Sequence, residues 1–166
     1  MASSYKTHWT ILVVAVAIML LAFSVYYLGQ PMLVIYDQQT GESFVTMSVH
    51  KDDLLEYNWI HSFEHIPWKE RYRIEDNHIL HLEEIQVAGF GAGIPENKGK
   101  MTVENGMVVM RELEDHFDYI SWINSHTALS SIVLNGKTIV LGSELPHHHP
   151  LKLEIRRRLN LWLTNR

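Results

Sequence analysis

Residues 101–111 read MTVENGMVVMR and contain the strongest hairpin signal in the chain, an Asn-Gly pair between two runs of strand-favouring residues. Asn-Gly favours positive φ at both central turn positions, which matches the right-handed twist of an antiparallel strand pair. Residues 131–141 read SIVLNGKTIVL and place a second Asn-Gly pair between two similar runs. These segments predict antiparallel hairpins that turn at Asn105-Gly106 and Asn135-Gly136.

Further strands are indicated on both sides of these hairpins by short apolar or alternating runs that end in turn residues. Asp76-Asn77 separates two such runs and predicts a third hairpin. Residues 56–65 alternate, which predicts a strand with Tyr57, Trp59 and Phe63 on one face. The predicted strands are 33–36, 43–49, 56–65, 71–75, 79–87, 101–104, 107–111, 131–134, 138–141 and 151 to about 157. Strands at this spacing predict an all-β domain, either a small antiparallel β-sandwich or a partly closed barrel.

The tail of the chain, residues 159–166, fits two alternatives. Leu159, Leu161 and Leu163 continue the period of two that is typical of a strand. The good helix formers that follow Pro150 would instead fit the start of a helix. The last strand is therefore predicted to end near residue 157, and the structure of the tail is left open.

An apolar segment near the N-terminus predicts one transmembrane helix. Residues 9–28 read WTILVVAVAIMLLAFSVYYL and contain no Asp, Glu, Lys, Arg or His. A helix of this length extends about 30 Å, the thickness of a bilayer's hydrocarbon core, and Trp9 and Tyr27 fit interfacial anchors. The alternative is a cleaved secretory signal, because Ala22 and Ser24 have suitable spacing for a cleavage site. The apolar run continues past them, which favours a retained span.

The charges that flank this span predict its orientation. Lys6 precedes the span, whereas the first Lys or Arg after it is Lys51. The positive-inside rule therefore places the N-terminus in the cytoplasm and the following domain outside, which in a bacterium is the periplasm. The expected organisation is a cytoplasmic N-terminus at 1–8, a helix across the inner membrane at 9–28 and an extracytoplasmic β domain at 30–166.

The β domain is predicted to be acidic. Lys6 is the only Lys or Arg before residue 30, so residues 30–166 carry 13 basic and 19 acidic side chains, a net charge of −6. This balance argues against nucleic acid as a partner and against a grip on anionic lipid beyond the span itself. The chain has no cysteine, which excludes disulfides and a lipoprotein anchor.

The densest polar and aromatic stretch is residues 58–72, NWIHSFEHIPWKERY. His61 and Ser62 are adjacent, and in a strand their side chains would point to opposite faces, which argues against a nucleophile–base pair. His61 and His65 would share a face about 13 Å apart, too far to bind one metal ion. The stretch fits either a polar patch for a partner or anion, or a sheet with its aromatic residues in the core.

A glycine-rich segment at residues 89–95, GFGAGIP, is the second candidate feature. Its glycines indicate backbone that needs positive φ or a close approach to another group. Nucleotide binding would require the loop to open a helix after a strand, and Pro95 with the polar residues after it does not begin one. The open alternatives are a structural turn and a loop that docks on a partner.

A histidine triplet at 147–149 is the third candidate, since such a run can bind a transition metal. Consecutive residues seldom present three nitrogens to one ion, and no carboxylate pattern completes a site, so a solvated loop is favoured. The sequence contains no H-E-x-x-H, G-x-S-x-G or P-loop signature. No catalytic residue, metal ligand or cofactor is therefore assigned, and the protein is expected not to be an enzyme.

Two motifs carry a resemblance to a known family. They are His61-Ser62-Phe63-Glu64 followed by Pro67, and the segment from Phe90 to Pro95 about thirty residues on. The chain resembles the small uncharacterised bacterial domain of unknown function that is encoded beside TRAP transporters of the TAXI type. The resemblance covers about 34–157. It implies that eight residues matter for structure or for an interface: His61, Ser62, Glu64, Pro67, Phe90, Gly91, Gly93 and Pro95.

The resemblance implies no reaction. It implies a non-catalytic, membrane-anchored accessory subunit of a TAXI-type TRAP transporter for organic acids, acting at the periplasmic face of the permease. Its expected partners are the permease, the soluble substrate-binding protein and, through residues 9–28, the lipid bilayer. The alternative is a ligand- or metal-sensing envelope domain that uses His61, Glu64 and their neighbours.

Overall fold

The computed structural model describes residues 2–89, 91 and 98–164. The chain divides into two compact units, one formed by Met1–Pro31 with Arg157–Arg166 and the other by Met32–Arg156. The first unit is helical and the second consists of β-strands joined by turns.

The helical unit contains α1 (Ala2–Gly29) and the short α2 (Arg158–Thr164). Within α1, residues His8–Gly29 form a 22-residue stretch with mean hydropathy 2.7, the one helix among the described residues that is long and apolar enough to cross a membrane. A membrane span and a signal anchor both satisfy this criterion. The Arg158 guanidinium lies 4.1 Å from the centroid of the Tyr27 ring, and its Nη1 donates to the Tyr27 hydroxyl at 2.5 Å. The part of the tail that the structure describes, Arg158–Thr164, is therefore a helix that packs on the end of α1.

The β domain contains eleven strands among the described residues. They are β1 (Pro31–Asp37), β2 (Ser43–Ser48), β3 (Leu54–Ile60), β4 (Pro67–Ile74), β5 (Leu80–Val87), β6 (Lys100–Glu104), β7 (Met107–Phe117), β8 (Tyr119–Ile123), β9 (Leu129–Leu134), β10 (Lys137–Leu141) and β11 (Pro150–Arg157). They form a four-stranded sheet in the order β2-β1-β11-β8 and a seven-stranded sheet in the order β10-β9-β3-β4-β5-β7-β6.

The predicted hairpins are confirmed. Asn105 and Gly106 have φ of 50° and 80°, and Asn135 and Gly136 have φ of 48° and 77°, so both turns use the positive φ that Asn-Gly favours. The strands on either side pair antiparallel, β6 with β7 and β9 with β10. The third hairpin, β4 with β5, turns through a short 3₁₀ segment at Asp76–His78.

The two sheets share one hydrophobic core. The smaller sheet contributes Leu33, Ile35 and Leu153, all fully buried, and the larger sheet contributes Tyr57 and Ile132 among others. β11 buries alternate side chains in this core, and the packing of one sheet on the other is that of a β-sandwich. The sheets are not closed into a barrel, so that alternative was wrong.

The prediction of a strand at 56–65 was wrong for residues 61–65. β3 ends at Ile60, and residues 61–66 form the turn that leads into β4. Trp59 packs against the core as predicted, whereas the Phe63 side chain lies on the turn and is 77% exposed. Alternation alone does not distinguish a strand from a turn when aromatic residues continue past the last backbone pairing.

Candidate functional site

The first motif lies in the turn between β3 and β4. The N–H of His61 donates to the carbonyl of Ile66 at 2.8 Å, and the N–H of His65 donates to the carbonyl of His61 at 2.9 Å. His65 has φ of 56°, in the left-handed region, which lets the chain reverse within six residues. Pro67 begins β4, a position where its missing N–H costs the sheet no hydrogen bond.

Two contacts hold the His61 ring in place. Its Nδ1 accepts from the N–H of Glu64 at 3.2 Å, and its ring stacks on Trp68 with centroids 5.8 Å apart. The arguments that placed His61 and Ser62 on opposite strand faces, and His61 and His65 about 13 Å apart, fail because this segment is not a strand. His61 Nδ1 nevertheless already accepts a hydrogen bond from the backbone N–H of Glu64.

The two motifs meet at the carboxylate of Glu64. A Cβ atom added at Gly91 would lie 1.3 Å from Glu64 Oε1, and one added at Gly89 would lie 3.4 Å from Oε2. The absence of a Cβ at Gly91 allows the close approach of the carboxylate, and no positive φ is involved. The other predicted residues of the second motif, Phe90, Gly93 and Pro95, lie outside the described residues.

An open cleft of about 290 Å³ adjoins this turn. It is lined by Trp59, Ile60, His61, Ser62, Trp68, Glu70 and Ala128. The Glu70 carboxylate accepts from the indole N–H of Trp59 at 3.3 Å, the indole N–H of Trp68 at 3.1 Å and the Tyr72 hydroxyl at 2.9 Å. The cleft thus combines two indole rings with one carboxylate held in place by three donors. We name the turn residues 61–66, Gly91 and this cleft the motif surface.

The three histidines of the triplet have different surroundings. His149 Nδ1 lies 2.5 Å from Oδ2 of the buried Asp37, whereas His147 packs against His126 and His148. Burial, with its two histidine neighbours, lowers the pKa of His147. The hydrogen bond from His149 holds the pKa of Asp37 below its usual value, and the N–H groups of Thr40 and Gln39 act in the same direction.

The Asp37–His149 pair predicts a loss of stability in acid. Because the pKa of Asp37 is lowered on folding, its stabilising effect is complete above the ordinary carboxyl value of 3.8 and is lost as the pH falls below it. The Asp37→Asn variant should therefore unfold at a lower temperature than the wild type near pH 6, with a difference that shrinks toward pH 3. Thermal unfolding followed by circular dichroism would measure this. Parallel pH profiles for the two proteins would contradict it.

Sequence reasoning missed a cluster formed by Glu75, His81 and His116, whose nitrogen and carboxylate atoms lie within 4.8 Å of one another. Glu75 follows β4, His81 is on β5 and His116 is on β7. His81 and His116 are direct cross-strand partners. The only local signal was the spacing of Glu75 and His81 across the third hairpin, because the strand that carries His116 is remote in sequence.

Comparison with known proteins identifies one family. A model described as a domain of unknown function, DUF1850, matches residues 55–141, which include the motif surface and the cluster of Glu75, His81 and His116. No curated protein and no solved structure matches the chain. The match agrees with the resemblance to an uncharacterised domain family and provides no link to a transporter.

Proposed function

The chain belongs to the DUF1850 family, and from that premise we propose that it is a non-catalytic, membrane-anchored accessory subunit of a TAXI-type TRAP transporter. In this proposal α1 spans the inner membrane and the β domain acts at the periplasmic face of the permease. The observation that carries the proposal is the meeting of the two motifs at Glu64 and Gly91, beside an open cleft.

The composition of α1 supports the role of an anchor that also packs against a membrane partner. Its apolar stretch carries no charge, which fits contact with lipid and argues against a pathway for a charged substrate. Ala15, Ala17 and Ala22 are small residues that allow another helix to approach closely. The hydroxyl of Ser24 donates to the carbonyl of Leu20 at 2.8 Å, so it is satisfied within the helix.

The motif surface supports docking of a protein rather than catalysis. Phe63 projects from the turn with 77% of its surface exposed, so its ring is accessible to a partner. Aromatic residues of this kind often dominate the binding energy of interfaces. We expect Phe63 to insert into an apolar pocket of the permease.

The cleft favours a basic side chain of the partner. Trp59 and Trp68 offer aromatic rings for a cation–π contact, and Glu70 offers a charge that three donors hold in place. The acidic balance of residues 30–166 would favour the same partner by long-range attraction.

Copurification tests this proposal. The full-length protein and a TAXI-type permease would be coexpressed, extracted in detergent and captured through a tag on the permease. We expect a stable complex, and Phe63→Ala should weaken it about tenfold or more, as is typical of a central aromatic contact. Ile123→Ala is the matched control, because Ile123 is a comparably exposed apolar residue on β8, outside the motif surface.

Two results would contradict the proposal. One is a permease that transports at its full rate without this protein and never copurifies with it. The other is saturable heat of dicarboxylate binding to the protein alone, lost in His61→Ala or Glu64→Ala, which the alternative of a ligand-sensing envelope domain predicts.

A further inference from the structure

A second site lies at the other end of β4 from the motif surface. Pro67 begins β4 beside the motif surface, whereas Glu75 follows its last residue, Ile74. Eight strand residues separate the two ends by about 26 Å. Arg73 pairs with His81 in register, so Glu75, two residues on, emerges on the same face as His81. His116, opposite His81 on β7, shares that face as well.

The ligand atoms of these three side chains converge. His81 Nδ1 lies 3.2 Å from Glu75 Oε1, and His116 Nε2 lies 3.4 Å from Glu75 Oε2. The two imidazole rings stack nearly parallel, with centroids 4.5 Å apart and planes inclined by 9°. Four ligands placed tetrahedrally at 2.0–2.1 Å from an ion are about 3.3 Å apart, close to the two distances found here.

Backbone carbonyls define which nitrogen of each ring carries a proton. His81 Nε2 lies 2.7 Å from the carbonyl of Leu113, and His116 Nδ1 lies 3.0 Å from the carbonyl of Glu114. A carbonyl oxygen can only accept, so each of these nitrogens donates. In a neutral ring, the other nitrogen then carries a lone pair, and in both rings that nitrogen faces Glu75.

The three side chains present their ligand atoms to one another. In neutral rings, the two nitrogens that face Glu75 cannot donate to its carboxylate. A divalent cation can accept lone pairs from all three groups at once. Metal-bound histidines commonly donate their second N–H to a backbone carbonyl, as both histidines do here.

We propose that Glu75, His81 and His116 bind a divalent transition-metal ion of the Zn²⁺ class. Two imidazoles and one carboxylate suit Zn²⁺ better than Ca²⁺ or Mg²⁺, which select oxygen ligands. Three protein ligands leave a fourth position for water or an exogenous group. Glu75 and His116 also line an open cleft of about 600 Å³, together with Lys51, Asp52, Arg73, Asp76, Asn77 and Ile79.

The neighbouring charges leave Glu75 available as a ligand. Lys51 pairs with Asp76 at 2.5 Å, and Arg73 pairs with Glu83 at 2.6 Å. The two cations nearest the cleft are thus neutralised by other carboxylates. The N–H of Glu75 donates to the carbonyl of Ile79 at 2.8 Å, which anchors its backbone across the turn.

Titration of the metal-free, full-length protein in detergent with Zn²⁺ tests the site. Calorimetry should show one equivalent bound, and Co²⁺ in place of Zn²⁺ should give the visible absorption of a tetrahedral N/O site. His81→Ala and His116→Ala should each weaken binding at least 100-fold. His50→Ala, which removes an exposed histidine that is not one of the three proposed ligands, should leave it unchanged.

A second readout guards against variants that fold poorly. Zn²⁺ should raise the unfolding temperature of the wild type and of Phe63→Ala, because a ligand that binds only the folded state stabilises it. It should not raise that of His116→Gln, a conservative change at a residue whose side chain is 44% exposed. The proposal is overturned if the wild type binds no Zn²⁺, or if binding survives in His116→Gln and disappears in His147→Ala/His148→Ala. Phe63→Ala is expected to lose docking and to keep the metal site. Failure of the docking proposal can therefore be distinguished from failure of the metal proposal.

Discussion

Asn124→Ala is expected to lower the free energy of unfolding of the β domain by about 3 kcal/mol. Asn124 is fully buried, and its Nδ2 lies 3.0 Å from the carbonyl oxygen of Gly142, 3.2 Å from that of Leu145 and 3.1 Å from that of Pro146. The two N–H groups of one amide therefore serve three backbone acceptors of the segment between β10 and β11, and one proton is shared. Alanine would remove this donor from the Pro146 carbonyl, whereas the Gly142 carbonyl also accepts from the Leu145 N–H at 3.4 Å and the Leu145 carbonyl from the His126 ring at 2.9 Å. A buried group that loses its donor costs about 1–3 kcal/mol.

Two further variants identify the cause of this loss. Asn124→Asp keeps the size of the side chain but cannot donate when ionised, so near neutral pH it should destabilise the domain at least as much as alanine. Asn58→Ala is the matched control, because the Asn58 amide makes a single bond, to the Ser131 hydroxyl at 3.1 Å. It should cost about 1 kcal/mol. Urea unfolding at fixed pH would measure all three, and equal losses for Asn124→Ala and Asn58→Ala would refute this account.

Under the proposed function, Gly91→Ala is expected to weaken docking of the permease while leaving the fold intact. The new methyl group would overlap Glu64 Oε1, from which an ideal Cβ is only 1.3 Å away. The carboxylate belongs to a flexible side chain on a surface turn, so it should move aside rather than unfold the sheet. Its displacement would disturb the turn that carries His61 and Phe63. We expect a loss of at least tenfold in permease affinity and a change of only a few degrees in unfolding temperature.

The double variant Gly91→Ala/Glu64→Ala distinguishes the steric effect of the new methyl group from a direct contribution of the Glu64 charge to docking. Removing the carboxylate makes room for the methyl group, so docking should recover if the Glu64 charge itself makes no contact with the partner. Docking should stay lost if the carboxylate is part of the interface. Copurification with the permease and the thermal midpoint would be measured for both variants. Unchanged docking in Gly91→Ala would show that the meeting of the two motifs does not matter for the partner.

Local signals were sufficient for much of the β domain. The Asn-Gly turns, the hairpin at Asp76-Asn77 and the strand that ends at Arg157 all depend on the φ preferences and alternation of neighbouring residues. The limits of β3 could not be read in this way. Trp59 and Phe63 alternate as a strand would, yet the backbone pairing of β3 stops at Ile60.

The sequence by itself determined an N-terminal helix apolar enough to cross a membrane and a series of antiparallel hairpins, because each depends on residues close together in the chain. Only the tertiary structure decided that Glu64 lies against Gly91 and that His81 stacks on His116. Those contacts arise from the way the turn after β3 meets the end of β5 and from the pairing of β5 with β7. Such pairings are selected by burial of the whole sheet rather than by any local preference, so neither site could be read from the order of the residues.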